Sequence, residues 1–286
     1  EALRGAGARR AGAPNPLALQ PPVRAARQEV RMATAPSNSE VGLSYVVGTA
    51  ADRTRVLAAD VLLDALCGSN EAPLKRRVLD ADLADDFSAA LVDGVLQPQV
   101  MFTLRGLRPG AGERFRALVE SSCAELAEGG IPRDKLEASL AQAEFNLREG
   151  DWGGYPDGVA LAMQAMSGWL YDDDRATDYL RYEDALAELK RGLDEGLFER
   201  LLAELVCEST HCAEVELVPV EAGDADEEAL ELARLRAAMD EGDLEAVRAE
   251  VDALRAEQEA PDQPEALATL PQLTVADIGP APAEPG

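Results

Sequence analysis

The sequence predicts an α+β fold: an antiparallel sheet with helices packed on one face, followed by a helical hairpin segment. Hairpin-spaced strand patterns come first in the chain, and most helical patterns are grouped after them. Of the 286 residues, 47% are hydrophobic but only 4% are aromatic, so the core must consist mainly of Leu, Val and Ala. This alanine-rich composition, with 28% charged residues, favours helices over a β-sandwich.

The first elements are two strands and a helix. A strand is predicted around Gln28–Thr34. The segment Val41–Gly48 is a second strand, because its apolar residues alternate with smaller ones. Thr49 is expected to cap the next helix, with Asp52 as the third residue of a weak capping box, and Gly68 is expected to end that helix.

A short basic helix and a hairpin follow. Pro73–Leu79 is predicted as the helix. Phe87–Val92 and Gln99–Leu104 are predicted as strands joined by a turn at Asp93–Gly94. Two long helices come next, separated by Gly129–Gly130, and each has apolar residues at three- and four-residue spacing.

The third quarter of the chain contains the most apolar helix, Val159–Leu170. We expect this helix to be buried, with Trp169 in the core or in a contact between modules. Leu180–Leu205 is predicted to form one or two helices broken near Gly192–Gly196, and a final strand is predicted at Ala213–Leu217.

Composition divides the chain into residues 1–20, a linker; residues 21–220, the α+β module; and residues 221–286, a helical segment. The last part has a hairpin turn at Asp240–Asp243 and a proline-rich, extended tail after Pro261. The Arg- and Ala-rich start is typical of a transit peptide, and a plain proline-rich linker is the alternative. Because the first residue is Glu1 and not Met, we expect a processed, truncated or partial chain.

Charge and hydropathy exclude two classes of partner. The formal net charge is −27, which repels nucleic acid and anionic lipid and attracts cationic partners, although acidity can also serve solubility alone. No apolar run approaches the roughly 20 residues that span a membrane. We therefore expect no nucleic-acid partner and no membrane partner.

The inventory of reactive residues argues against a catalytic centre in this chain. His211 is the one histidine, so neither H-E-x-x-H nor H-x-x-E-H can occur, and G-x-S-x-G is absent. His211 with Cys207 and Cys212 lacks the spacing of a zinc site, and we expect reduced, buried cysteines. The sequence therefore predicts no catalytic residues and no metal ligands, and it leaves substrate-binding residues unknown.

Two further motifs have simpler explanations. Glycines at positions 150, 153, 154 and 158 suggest a phosphate loop, but no strand precedes them and no Lys-Ser/Thr follows, so a helix-to-helix loop is favoured. Asp172–Asp174 lacks the spacing of a calcium loop. These three carboxylates are expected to cap the next helix.

Several stretches resemble the pitrilysin/insulinase-type zinc metallopeptidases, in particular the presequence protease subgroup. They run in the family's order along almost the whole chain: Leu19–Val30, Gly68–Asp80, Leu96–Leu107, Glu144–Tyr171, Arg181–Lys190 and Ala256–Ile278. The most specific among them contain NLREG followed by YP and WLY, and APDQPEALATLPQL.

The resemblance implies two half-shells joined by a helical linker, each half-shell made of two α+β modules. Residues 21–220 would be the second, non-catalytic module of the first half, and 221–286 the start of the linker. The zinc ligands and the catalytic Glu of the family would lie outside this chain, which would itself bind no cofactor. The partners would be the missing first module and the C-terminal half of the same enzyme.

The function implied is part of a zinc metalloendopeptidase that degrades short unstructured, basic peptides such as organellar targeting presequences. This chain would supply chamber wall and hinge. The location would be the mitochondrial matrix or plastid stroma in a eukaryote, and the cytoplasm otherwise. The alternative is a non-catalytic scaffold or assembly subunit with a peptidase-like fold that has lost its metal site.

Overall fold

A computed structural model describes residues 18–23, 27–150, 153–221 and 227–270. The chain divides into two compact units, Glu1–Ala225 and Asp226–Gly286. The predicted boundaries after residues 20 and 220 stay predictions. In the described part of the chain, no helix is both long enough and apolar enough to cross a membrane.

The first unit is built on a five-stranded mixed sheet with the strand order β1-β5-β2-β4-β3. The strands are β1 (Gln28–Ala33), β2 (Glu40–Val46), β3 (Ala84–Val92), β4 (Gln99–Leu107) and β5 (Cys212–Val220). Three neighbouring pairs are antiparallel and β1 lies parallel to β5. The α+β class is confirmed. The parallel pair departs from the expected antiparallel pattern because β1 and β5 are joined by almost the whole unit, so no short turn fixes their direction.

Seven helices of the first unit are described. They are α1 (Arg53–Cys67), α2 (Pro73–Asp80), α3 (Ala111–Gly129), α4 (Arg133–Glu149), α5 (Asp157–Trp169), α6 (Glu183–Gly192) and α7 (Leu197–Leu202), which continues into a π-helical turn at Ala203–Cys207. The predicted cap of α1 is wrong. Asp52 is the N-cap and accepts a hydrogen bond from the Arg55 amide at 3.1 Å, whereas Thr49 precedes the helix and its carbonyl accepts from the Asp52 amide.

The core lies between the sheet and the helices on one of its faces. Val41, Leu43 and Tyr45 of β2 are buried, and the residues between them are half-buried, as the alternating pattern predicts. The few aromatic residues are concentrated here. Phe87 stacks on Phe102 with ring centroids 6.4 Å apart, and it meets the Phe115 ring edge to face at 6.2 Å.

The second unit contains α8 (Glu227–Ala238), α9 (Glu241–Glu259) and the short α10 (Pro264–Leu267). The predicted turn is confirmed as a capping box, in which Asp240 accepts from the Asp243 amide at 2.9 Å and Asp243 accepts from the Asp240 amide at 3.0 Å. Helix α10 corrects the expectation of a fully extended tail. The tail beyond residue 270 lies outside the described residues.

Candidate functional site

The residues around His211 are not arranged as a zinc site. The His211 carbonyl accepts from the Val46 amide at 3.1 Å, and Cys212 is buried, with the Arg116 guanidinium 3.1 Å from its Sγ. Over the ranges that the structure describes, no three His, Cys, Asp or Glu side chains could hold a metal ion together. These residues therefore do not fit the zinc that the family resemblance implies.

The cysteines follow the sequence prediction in part. All four are free, and Cys67, Cys123 and Cys212 are buried. Burial raises the pKa of the Cys67 thiol to about 12, which leaves it protonated and unreactive. Cys207 corrects the prediction, because it is exposed at the end of the π-helical turn.

The glycine and aspartate motifs have the structural roles that were favoured for them. Gly150 ends α4 in the left-handed conformation, with φ 63°, and its amide donates to the Asn146 carbonyl. Asp172 caps a short 3₁₀ turn by accepting from the Asp174 amide at 3.0 Å, and it also pairs with Arg175. Neither motif brings together groups for phosphate or cation binding.

A buried ionic cluster joins β5 to α3. Glu214 is 5% exposed and lies 3.9 Å from Arg116 of α3 and 4.0 Å from Arg27. Arg27 also pairs with Glu216. Burial raises the pKa of the Glu214 carboxyl, and the two guanidinium groups oppose that rise. Because these charged side chains pair with one another, we assign the cluster a structural role.

The sheet face away from the core carries small and polar side chains. Gly42 and Ser44 of β2, Ser88 of β3 and Arg105 of β4 point to this side and remain partly or fully exposed. Thr103 on the same face is the exception, at 5% exposed. Such a surface suits contact with polar backbone or solvent, as the lining of a cavity would require.

Helix α5 presents its apolar side outward, which overturns the prediction that this helix is buried. Trp169 is 45% exposed and Met163 is 59% exposed. The other exposed apolar residues of this surface are Val159, Leu161, Met166 and Leu170. The buried residues of α5 are instead the small Ala160 and Gly168. Residue pattern alone could not reveal this, because periodicity identifies an apolar stripe without identifying what covers it.

A cavity of about 310 Å³ lies beneath the small-residue side of α5. Its apolar lining comes from α1, β3 and α4. Those residues are Val56, Leu57, Leu91 and Leu147. The polar lining residues are Arg53, Asp60, Asp93, Gln164, Ser167 and Tyr179. Arg53, Val56, Leu57 and Asp60 follow the i, i+3, i+4, i+7 spacing of one helical face, a signal that could have been read from the sequence.

Three ionisable groups of this cavity have shifted pKa values. Desolvation, helped by the nearby charges of Asp93 and Asp64, raises the pKa of the Asp60 carboxyl to about 6. Burial raises the pKa of Tyr179 to about 12, and desolvation lowers the pKa of Arg53. Shifts gathered in one cavity with convergent polar groups are typical of a binding site.

The segment after α5 holds this end of the unit in place. The Tyr179 hydroxyl donates to the Ala50 carbonyl at 3.0 Å, Arg175 donates to the Ala51 carbonyl at 3.0 Å, and the Tyr171 hydroxyl donates to the Gly94 carbonyl at 3.1 Å. These three bonds tie the segment to the loop before α1 and to the β3–β4 turn. They therefore fix the walls on either side of the cavity.

Comparison with solved structures defines the class of fold. The inactive peptidase domain of a proposed zinc protease from Bordetella parapertussis superposes with a TM-score of 0.52 at 17% identity, covering 67% of this chain and 98% of that one. A proposed zinc protease from Bordetella pertussis gives 0.50 at 17% identity, covering 65% and 96%. The chain thus has the fold of one zinc-protease-like α+β module.

Sequence comparison defines the family. A family model described as a peptidase-associated region matches residues 219–285. HypA of Clostridium perfringens is 32% identical over 84% of this chain, and presequence protease 1 of Arabidopsis thaliana is 34% identical over 80%. The chain belongs to the pitrilysin/insulinase-type peptidases, in the presequence protease subgroup. It spans 25% and 22% of the length of those two relatives.

Proposed function

We propose that this chain is a non-catalytic module, with the start of the helical linker, of a zinc metalloendopeptidase that degrades short unstructured peptides. The observation that carries the proposal is the similarity over 84% of this chain to a quarter of HypA, together with one histidine in the whole sequence. The zinc ligands and the catalytic Glu then belong to other modules of the same polypeptide. In such an enzyme, zinc supplies the Lewis acid that activates water.

The open sheet face supports a role as chamber wall. Its small and polar side chains, including Gly42, Ser44 and Ser88, leave strand backbone accessible to solvent-exposed substrate. The net charge of −27 favours basic peptides over acidic ones through long-range attraction. Targeting presequences are peptides of this kind, and they are the substrate class that we propose.

The outward apolar side of α5 supports a contact with another module of the same polypeptide. An uncharged surface containing Met163, Met166 and Trp169 is unfavourable in water, and such patches mark interaction sites. The relatives carry about three-quarters of their length outside the matched region, because this chain spans 25% and 22% of them. A neighbouring module is therefore the occupant that we propose for this surface.

The location follows the same reasoning. Relatives named as presequence proteases are chloroplastic or mitochondrial in Arabidopsis thaliana and mitochondrial in Xenopus tropicalis, whereas HypA is bacterial. We therefore propose the mitochondrial matrix or plastid stroma if the source is a eukaryote. For a bacterial source we propose the cytoplasm.

The test compares this chain with the product of the complete coding region that contains it. Both are assayed on a fluorogenic unstructured basic peptide, with and without a chelator. We expect chelator-sensitive cleavage by the longer product and none by this chain alone, because an activated nucleophile is missing from it. Chelator-sensitive turnover by the purified chain would contradict the proposal.

The scaffold alternative is distinguished by the coding sequence before Glu1. An H-x-x-E-H motif there makes the chain part of an enzyme. A complete coding region without that motif, whose product is inactive in the same assay, makes it a scaffold. The fold similarity to an inactive peptidase domain keeps this alternative relevant.

A further inference from the structure

We propose that the cavity lined by α1, α4 and α5 is a binding site for a small zwitterionic ligand, such as a short peptide with free ends. The ligand's carboxylate would meet Arg53 and its ammonium group would meet Asp60 and Asp93. This site is separate from the open sheet face, and the inference does not depend on the proposed peptidase function.

The positive end of the cavity is formed by Arg53, the first residue of α1. Its Nε is shielded from solvent and has no hydrogen-bond acceptor among the described residues. Its guanidinium lies 5.9 Å from the centroid of the Tyr179 ring, and no carboxylate of the described chain pairs with it. A buried guanidinium donor without an acceptor is unfavourable unless a ligand supplies one.

The negative end is formed by Asp60 of α1 and Asp93 of the β3–β4 turn. Among the described residues, neither carboxylate accepts a hydrogen bond or pairs with a cation. Their mutual repulsion contributes to the raised pKa of the Asp60 carboxyl, so the two charges lie close enough to act on one ligand group. An ammonium group placed between them would relieve this repulsion.

The space between the two ends suits a short apolar stem. Arg53 and Asp60 are seven residues apart on one helix, a rise of roughly 10 Å along its axis, which is close to the length of three extended residues. Val56 and Leu57 lie between them and line the cavity. The volume of about 310 Å³ is at the lower end for ligand sites, which excludes long peptides.

A metal ion is a poorer occupant than a zwitterion. The described part of the chain contains no group of three metal-binding side chains, and the lining includes a cation. The ammonium group can come from two sources, the α-amine of a short peptide or the side chain of free lysine. Both present an ammonium and a carboxylate joined by a flexible stem, so both enter the test.

The experiment is calorimetric titration of the 286-residue chain with trialanine and, separately, with L-lysine. Trialanine is also tested with an acetylated amine and with an amidated carboxylate. The variants are Arg53→Gln and Asp60→Asn. Asp64→Asn is the matched control, because Asp64 lies one turn further along α1 and does not line this cavity. Circular dichroism confirms that each variant is folded.

We expect one site for at least one of the two probes. Amidating or acetylating trialanine should weaken its binding by about tenfold or more, the usual effect of losing a hydrogen bond to a charged group. Arg53→Gln should make binding insensitive to amidation, and Asp60→Asn should make it insensitive to acetylation. Asp64→Asn should leave affinity unchanged. Preference for trialanine or lysine identifies the source of the ammonium group.

Two results would overturn the inference. One is the absence of binding by both probes to the folded chain. The other is binding that responds equally to capping in the Arg53→Gln variant, the Asp60→Asn variant and the unmodified chain. Either result leaves the proposed peptidase function untouched, because that function is tested by cleavage and by the flanking coding sequence.

Discussion

The Arg53 guanidinium lies 5.9 Å from the centroid of the Tyr179 ring, and this contact ties the start of α1 to the segment that follows α5. Tyr179 is also anchored through its hydroxyl, which donates to the Ala50 carbonyl at 3.0 Å. One side chain thus makes a cation–π contact and a hydrogen bond to two neighbouring parts of the chain. The cavity under α5 depends on this junction.

We first predict that the two contacts of Tyr179 can be separated by substitution. Tyr179→Phe removes the hydrogen bond and keeps the ring, so it should lower the free energy of unfolding by about 1 kcal/mol. Tyr179→Leu also removes the cation–π contact and should cost roughly 0.5–1 kcal/mol more. Urea unfolding followed by circular dichroism measures both. Equal losses for the two variants would mean that the ring contact contributes nothing.

The second prediction concerns pH and Asp60. The pKa of this carboxyl rises from 3.8 to about 6 on folding, so folding favours its protonated form. The associated stability is fully present below pH 3.8 and is lost as the pH rises through 6. Asp60→Asn, which is neutral throughout, should therefore be more stable than the unmodified chain at pH 7, and the two should converge below pH 4.

The size of this effect is limited by solvent. Full linkage would give roughly 3 kcal/mol, but Asp60 remains exposed, so we expect about 1 kcal/mol at pH 7. Urea unfolding at several pH values measures the difference. Asp64→Asn removes only one neighbouring charge and should give a smaller gain. A stability difference that does not change with pH would show that Asp60 titrates normally.

The third prediction is that this chain binds no zinc with useful affinity. A zinc site needs at least three ligands, and the described residues offer no such group. Metal analysis after dialysis against trace zinc should give far less than one equivalent. Stoichiometric zinc that disappears in a His211→Ala variant would contradict this prediction and assign a ligand.

Local periodicity was sufficient to predict most of the sheet and of the helical layer. The alternation of Leu43 and Tyr45 with smaller residues identified β2 and its buried face, and the three/four spacing that includes Leu136 and Leu140 identified α4. These predictions succeeded because the same apolar residues that define the pattern fill the core of this unit.

Features that depend on distant parts of the chain could not be predicted this way. The parallel pairing of β1 with β5 joins strands from the two ends of the unit. The cavity brings Arg53 of α1 together with Asp93 of a turn and Tyr179 of a later loop, and no sequence spacing connects them. The outward apolar side of α5 was missed because a stripe of apolar residues looks the same in sequence whether the core covers it or solvent does.

The last prediction concerns Trp169 on α5. In this chain Trp169 is 45% exposed, so Trp169→Ala should lower the free energy of unfolding by less than about 1 kcal/mol. Phe115→Ala is the matched control, since Phe115 is 0% exposed and its removal from the core should cost about 3–5 kcal/mol. A large loss for Trp169→Ala in this chain would mean that α5 packs inward after all.

The same residue reports on the proposed contact with another module. With Trp152 replaced by Phe, the fluorescence of Trp169 can be followed alone in this chain and in the longer product that contains it. If a neighbouring module covers α5, the emission of Trp169 shifts to shorter wavelength and iodide quenching weakens in the longer product, because the indole leaves water. Trp169→Ala should then destabilise the longer product more than this chain, with little change in cleavage rate per folded molecule. Identical emission and quenching in the two proteins would rule out the contact, and a sharply raised KM with normal stability would place Trp169 against the substrate instead.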